Sequence, residues 1–215
     1  MASTTRNRTT LQAEQIRERV LDTADRLYYS RGIHAVGMDA LRDASGVSLK
    51  RLYQLFPSKE VLIEAVLHRR RRVWNRLVEA AIATGSDAPR DQLLAVYDML
   101  AHWFDEDDFR GCVFINTFGE LGGTAPHIAT LIREHKASFQ ARLAEVVRKT
   151  GAPATLAHQL AILAEGAQTT AAIAGTNDAA HHARAAATTL IDTALAANRP
   201  ATSHPNDGVN PPVTT

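Results

Sequence analysis

Between Gly46 and Glu60 the chain reads Gly-Val-Ser-Leu-Lys-Arg-Leu-Tyr-Gln-Leu-Phe-Pro-Ser-Lys-Glu. Gly46 supplies the positive φ of a tight turn. Ser48 is a good cap for the helix that follows, and Pro57 stops that helix after about two turns. Ser58 can cap a new helix, and Glu60 in its first turn favours the helix dipole. A helix this short, carrying Lys50 and Arg51 beside Tyr53, is poorly suited to catalysis and well suited to a DNA groove. The arrangement predicts a helix-turn-helix whose second helix enters the major groove.

The rest of the chain is helical in period. Ile16, Val20, Ala24, Leu27 and Tyr28 repeat at three- and four-residue steps, predicting a first helix over Gln12–Arg31, with Gly32 as its C-cap. Met38 to Ala44 forms a second. The fourth is expected over Ser58–Thr84, the fifth over Arg90–Phe104, the sixth over Cys112–Leu121 and the seventh from Pro126 to about Thr150. Alanine-dominated helices follow at Pro153–Ala174 and Asp178–Asn198. No stretch alternates with period two, so the fold class is all-α, with about nine helices. A tail rich in Pro, Asn, Thr and Ser, residues 199–215, is expected to be disordered.

Charge is partitioned along the chain. The net value is +1, yet residues 1–72 hold 14 Lys/Arg against 8 Asp/Glu, while residues 73–215 hold 10 against 15. A basic third that also contains the helix-turn-helix is the electrostatic footprint of a phosphate-binding module. No run of about 18 apolar residues is present, so no membrane span is expected. The N-terminus lacks an apolar core, so no secretory leader is expected. A single cysteine, Cys112, excludes an internal disulfide framework. These features predict a cytoplasmic protein.

The run Leu41-Arg42-Asp43-Ala44-Ser45-Gly46-Val47-Ser48, followed by Leu52-Tyr53, Phe56-Pro57-Ser58-Lys59-Glu60 and Leu62, resembles the N-terminal signature of TetR-type (TetR/AcrR) transcriptional regulators. The likeness covers roughly residues 12–72. A weaker one, over Arg110–Asn116, is to a subset of that family. The resemblance implies a three-helix DNA-binding head, a homodimer on a palindromic double-stranded operator, and an effector pocket in the C-terminal helices whose occupancy releases the operator. The expected organisation is a flexible basic arm (1–11), a DNA-binding domain (12–72, motif 37–56), and an effector-binding and dimerisation domain (73–198).

Ser48, Lys50, Arg51, Tyr53, Gln54 and Lys59 are the candidate DNA contacts. Arginine can bond bidentate to guanine, and Gln54 can reach an adenine edge. Tyr53 and Lys59 match the family's tyrosine and its phosphate clamp. Glycine stands at position 37, where the family usually has a serine or threonine that caps the second helix and meets phosphate. Arg6 and Arg8 of the arm could lie in an adjacent minor groove. The arginine run 69–72 sits roughly 15 Å up the fourth helix from Lys59 and points several ways, so salt bridges are expected there.

In the body, the large side chains Trp74, Tyr97, Trp103, Phe104, Phe114, Phe118 and Phe139 interleave with Cys112, Asn116, Glu120, His135 and Gln168. An apolar cavity with a few polar groups is what a small-molecule site requires. The alanine-rich helices suit a dimeric four-helix bundle through about Pro153–Asn198. Cys112 as a redox switch is the alternative reading, and a helical enzyme or a DNA-packing protein are the remaining rivals. No motif joins a histidine to Cys112 as catalysis needs. His181-His182 are adjacent, which is poor metal geometry on a helix. Neither a cofactor nor a metal is expected.

Overall fold

The structure is a computed structural model that describes residues 2–197, with side chains from Leu11 onward. Among the described residues there are nine helices and no strand: α1 (Ala2–Arg31), α2 (Met38–Ser45), α3 (Leu49–Leu55), α4 (Lys59–Thr84), α5 (Pro89–Phe104), α6 (Val113–Leu121), α7 (Pro126–Thr150), α8 (Thr155–Ala174) and α9 (Asp178–Ala197). α1 starts ten residues ahead of the predicted Gln12. The backbone assigned to a flexible arm is therefore helix. No Gly or Pro interrupts Ala2–Thr10, but no apolar repeat marks it either, so periodicity does not find it. The side chains of Arg6 and Arg8, and the tail 199–215, lie outside the described residues.

The caps fall where their chemistry puts them. Gly46 takes φ 67° and its N–H bonds the Arg42 carbonyl, turning α2 into the motif's loop. Ser48 Oγ accepts from Arg51 N at 3.3 Å, and Ser58 Oγ from Val61 N at 3.3 Å. Each such cap stabilises its helix by about 1 kcal/mol. Gly32 takes φ 83°, ending α1.

Two apolar clusters organise the packing. One joins Val20, Leu27, Leu41, Leu52, Phe56 and Leu62 of the first four helices to Phe114 on α6 and Ile128 on α7. The other joins Val78 and Ile82 of α4 to α5, the far end of α7, and α8 and α9. α4, about 39 Å long, belongs to both. The apolar core of the head thus does not stop at residue 72, because α6 and the first turns of α7 complete it.

Candidate DNA-binding surface and ligand cavity

The apolar anchors of α3 and its C-cap point inward, Leu52 and Phe56 being fully buried. That orientation turns Lys50, Tyr53 and Gln54 outward, and Tyr53 is 46 % exposed. Arg51 is half-buried, and its Nη1 donates to Gln54 Oε1 at 3.1 Å, so the two form one polar unit. Ser48 is exposed, and its hydroxyl proton stays free because the cap uses only the oxygen. Arg19 and Arg51 share a groove between α1 and the start of α3. Five of the six predicted contacts therefore lie together. Gly37 caps α2 without a side-chain bond, and a Cβ built there meets nothing within 4 Å.

Lys59 stands apart from the other five. Its Nζ donates to the Ile33 carbonyl at 2.6 Å, and burial holds its pKa below the ordinary lysine value. Beside it, the Glu120 carboxylate accepts from the N–H of Ile33 at 2.9 Å and of His34 at 2.7 Å, while His34 Nε2 contacts the Glu120 carbonyl at 3.1 Å. Left-handed Gly32 makes this approach possible: a Cβ there would stand 3.2 Å from Glu120 Oε1. A second tie runs through Tyr29, whose hydroxyl donates to Gly111 O at 2.9 Å and accepts from Arg110 N at 2.8 Å. The C-terminal end of α1 is thus strapped to both ends of α6. Three of the four arginines of the run are held in ion pairs, Arg69 with Asp22, Arg70 with Asp25 at 2.6 Å and Arg71 with Glu134 at 3.5 Å, while Arg72 is exposed.

Between head and body lies a cavity of about 310 Å³. Seven of the predicted lining residues meet there: Trp74, Trp103, Cys112, Phe114, His135, Phe139 and Gln168. Trp74 is the hub, with the rings of Trp103, His135 and Phe139 set edge-on to it at 5.4–6.2 Å. His135 stacks on Phe114, and burial, aided by Lys136 and Arg71, pushes its pKa down to about 3, so its imidazole is neutral. Lys136 Nζ stands 3.7 Å from Cys112 Sγ and 3.4 Å from Glu165.

Five predicted pocket residues are elsewhere. Tyr97 is buried in the body core, its hydroxyl bonded to Leu160 O at 2.7 Å. Phe104 packs into the same core beside Phe109. Asn116 is exposed and donates to Arg110 O. Phe118 is 43 % exposed under Arg133. Glu120 forms the strap instead. Conversely, Tyr29, Arg70, Val73, Leu77, Glu106, Val113 and Lys136 line the cavity. The signal for several of them was helical spacing. Arg70, Val73, Trp74 and Leu77 recur at three- and four-residue steps, one face of α4.

A solvent-facing recognition helix, tied through α1 and α6 to a cavity walled by aromatic rings, defines a helix-turn-helix protein of the regulator class. Residues 20–66 match the family model for bacterial regulatory proteins of the tetR family, and residues 89–187 match the tetracyclin repressor-like C-terminal domain. The crystal structure of a TetR-type transcriptional regulator from Streptomyces avermitilis superposes with TM-score 0.73 at 32 % identity, covering 83 % of this chain and 97 % of that one. The TetR-family regulator SCO4454 of Streptomyces coelicolor does so with TM-score 0.75 at 26 % identity, covering 86 % and 96 %. The HTH-type regulator Rv1255c of Mycobacterium tuberculosis is 28 % identical over 128 residues, 60 % of this chain and 63 % of its own length. This chain belongs to the TetR family, whose members are transcriptional regulators rather than enzymes. Among the described residues no helix is long and apolar enough to cross a membrane.

Proposed function

We propose that the protein is a homodimeric repressor that binds a palindromic operator and leaves it when a small molecule fills the cavity. The observation that carries this reading is the shared wall. Tyr29 of α1 and Arg70 of α4 line the cavity, Arg70 lies over the Tyr29 ring at 4.7 Å, and α1 is strapped to α6. A ligand that moves α6 must act on the end of α1, against which the recognition unit packs. In thermodynamic terms the ligand binds the DNA-free arrangement more tightly. In this reading the DNA-binding head is residues 12–72 and the effector and dimer body begins at 73, with α6 and the start of α7 packed against the head. With DNA as its partner, the protein works in the cytoplasm.

Base reading rests on Arg51, Gln54 and Lys50. Tyr53 and Ser48 meet the backbone, and Lys59 reaches phosphate with the protons not engaged by Ile33. Footprinting on the protein's own promoter, with and without candidate ligands, tests the reading. Arg51→Ala should cost roughly 1–3 kcal/mol and relax preference at one operator position. Uniform weakening across all sequences would show that Arg51 touches only phosphate. Gly37→Ser should do the opposite, because its hydroxyl enters open space at the head of α2. Operator and random DNA should both bind a few-fold tighter, with an unchanged salt dependence because a neutral hydroxyl releases no counterion, in filter-binding titrations.

A second reading is favoured by one contact. Cys112 faces Lys136 inside the cavity, so a peroxide that reached the cavity could oxidise the thiol to a sulfenic acid and release DNA without another ligand. Loss of peroxide response in Cys112→Ser, with ligand response intact, would support it. An unchanged peroxide response would exclude it.

A further inference from the structure

Resting on the reading of the cavity as the effector site, we infer that its ligand is a small aromatic anion held by Lys136. The size follows from the volume: about 310 Å³ lies at the low end for ligand sites. Its aromatic character follows from the walls. Trp103 and Phe139 stand at 62° and 72° to the Trp74 ring, an inclined box that offers a guest ring both faces and edges.

The charge follows from the partners of Lys136. Its side chain is only 23 % exposed, yet it has one carboxylate at 3.4 Å and one thiol at 3.7 Å. An ammonium has three donors; the thiol takes one, and Glu165 at 3.4 Å lies beyond the roughly 2.7–2.9 Å of a short charge-assisted bond to a carboxylate. A ligand carboxylate supplies the missing acceptor. Two further atoms belonging to the cavity wall, Trp74 Nε1 and His135 Nδ1, have no partner. The other cation of the wall, Arg70, is occupied by Asp25. The carboxylates of the region are otherwise committed or peripheral: Asp25 and Glu165 hold the two cations, and Glu106 is solvent-exposed at the edge. A cationic guest therefore meets two fixed cations, and the one wall carboxylate outside an ion pair, Glu106, is exposed to solvent.

The only two tryptophans of the chain, Trp74 and Trp103, both line the cavity, so intrinsic fluorescence reports its occupancy directly. The full-length protein is titrated with phenylbutyrate, phenylbutanol and phenylbutylammonium, which share a ring and chain and differ in charge. Phenylbutyrate should change the emission saturably and bind at least tenfold tighter than the alcohol, with the ammonium weakest. Lys136→Met should bring the acid down to the level of the alcohol, while Lys136→Arg keeps the order. Equal binding of the three, no response to the acid, or an unchanged acid-to-alcohol ratio in Lys136→Met would overturn the inference. Operator binding is measured in parallel. If the acid binds in this order but operator affinity does not change, the effector reading fails and the anion site stands. If the alcohol or ammonium binds as tightly as the acid and releases the operator, the effector reading stands and the anion class is overturned.

Discussion

Ile162→Glu is expected to leave the protomer folded and to abolish operator binding at nanomolar concentrations. In the single chain Ile162 is 71 % exposed and Ile173 is 83 % exposed, so neither supports the protomer's own core. Both lie on α8, with Gly166 and Thr169 between them at helical spacing, all exposed. Such an apolar and small-residue stripe fits a self-complementary contact across a two-fold axis. There a glutamate is desolvated and faces its own symmetry mate, and burying an unpaired charge costs several kcal/mol. Loss of the dimer removes the second half-site contact, and bivalent linkage is worth roughly 10²–10⁴ in apparent affinity. Sedimentation should show a monomer, circular dichroism an unchanged helix content, and titration an operator affinity at least 100-fold lower. A dimer that survives both Ile162→Glu and Ile173→Glu would place the interface away from α8.

The second large effect is expected at Glu120. Glu120→Gln should disconnect ligand binding from DNA release. The carboxylate accepts two backbone N–H bonds from the turn after α1, and an amide has only one oxygen to offer. Bonds to a charged acceptor contribute about 1.5–3 kcal/mol each, comparable to the 1–3 kcal/mol by which sites in allosteric proteins are ordinarily coupled. Tryptophan titration of the cavity should be unchanged within about twofold, since Glu120 does not line it. The ratio of operator affinities with and without ligand should fall toward one. A preserved ratio would leave the Tyr29 tie to residues 110–111 as the route of coupling.

Much of the head was legible before any tertiary contact was known. Gly46, Ser48, Pro57 and Ser58 act through local backbone chemistry, and the observed caps are the ones their side chains predict. α1 shows the limit of that logic, because its first turns carry no apolar repeat to mark them. The cavity was half legible. Trp74, Trp103, His135 and Phe139 were candidates by size and polarity, but Tyr97 and Phe104 have the same character and fill the body core. Nothing local distinguishes them, since the difference is which neighbouring helix each face meets. Tyr29, Arg70 and Lys136 were missed for the same reason. They line the cavity only because α1, α4 and α7 converge there from widely separated parts of the chain.

By itself the sequence determined the helices, their caps, the outward face of α3 and the family, because these depend on residues within one or two turns of each other. The tertiary structure alone decided that Glu120 serves as a strap rather than a ligand contact, that Lys59 turns toward Ile33, and that Lys136 lies beside Cys112. Each of these joins groups from separate helices, and a hydrogen bond over 2.6–3.7 Å depends on packing that helical periodicity does not encode.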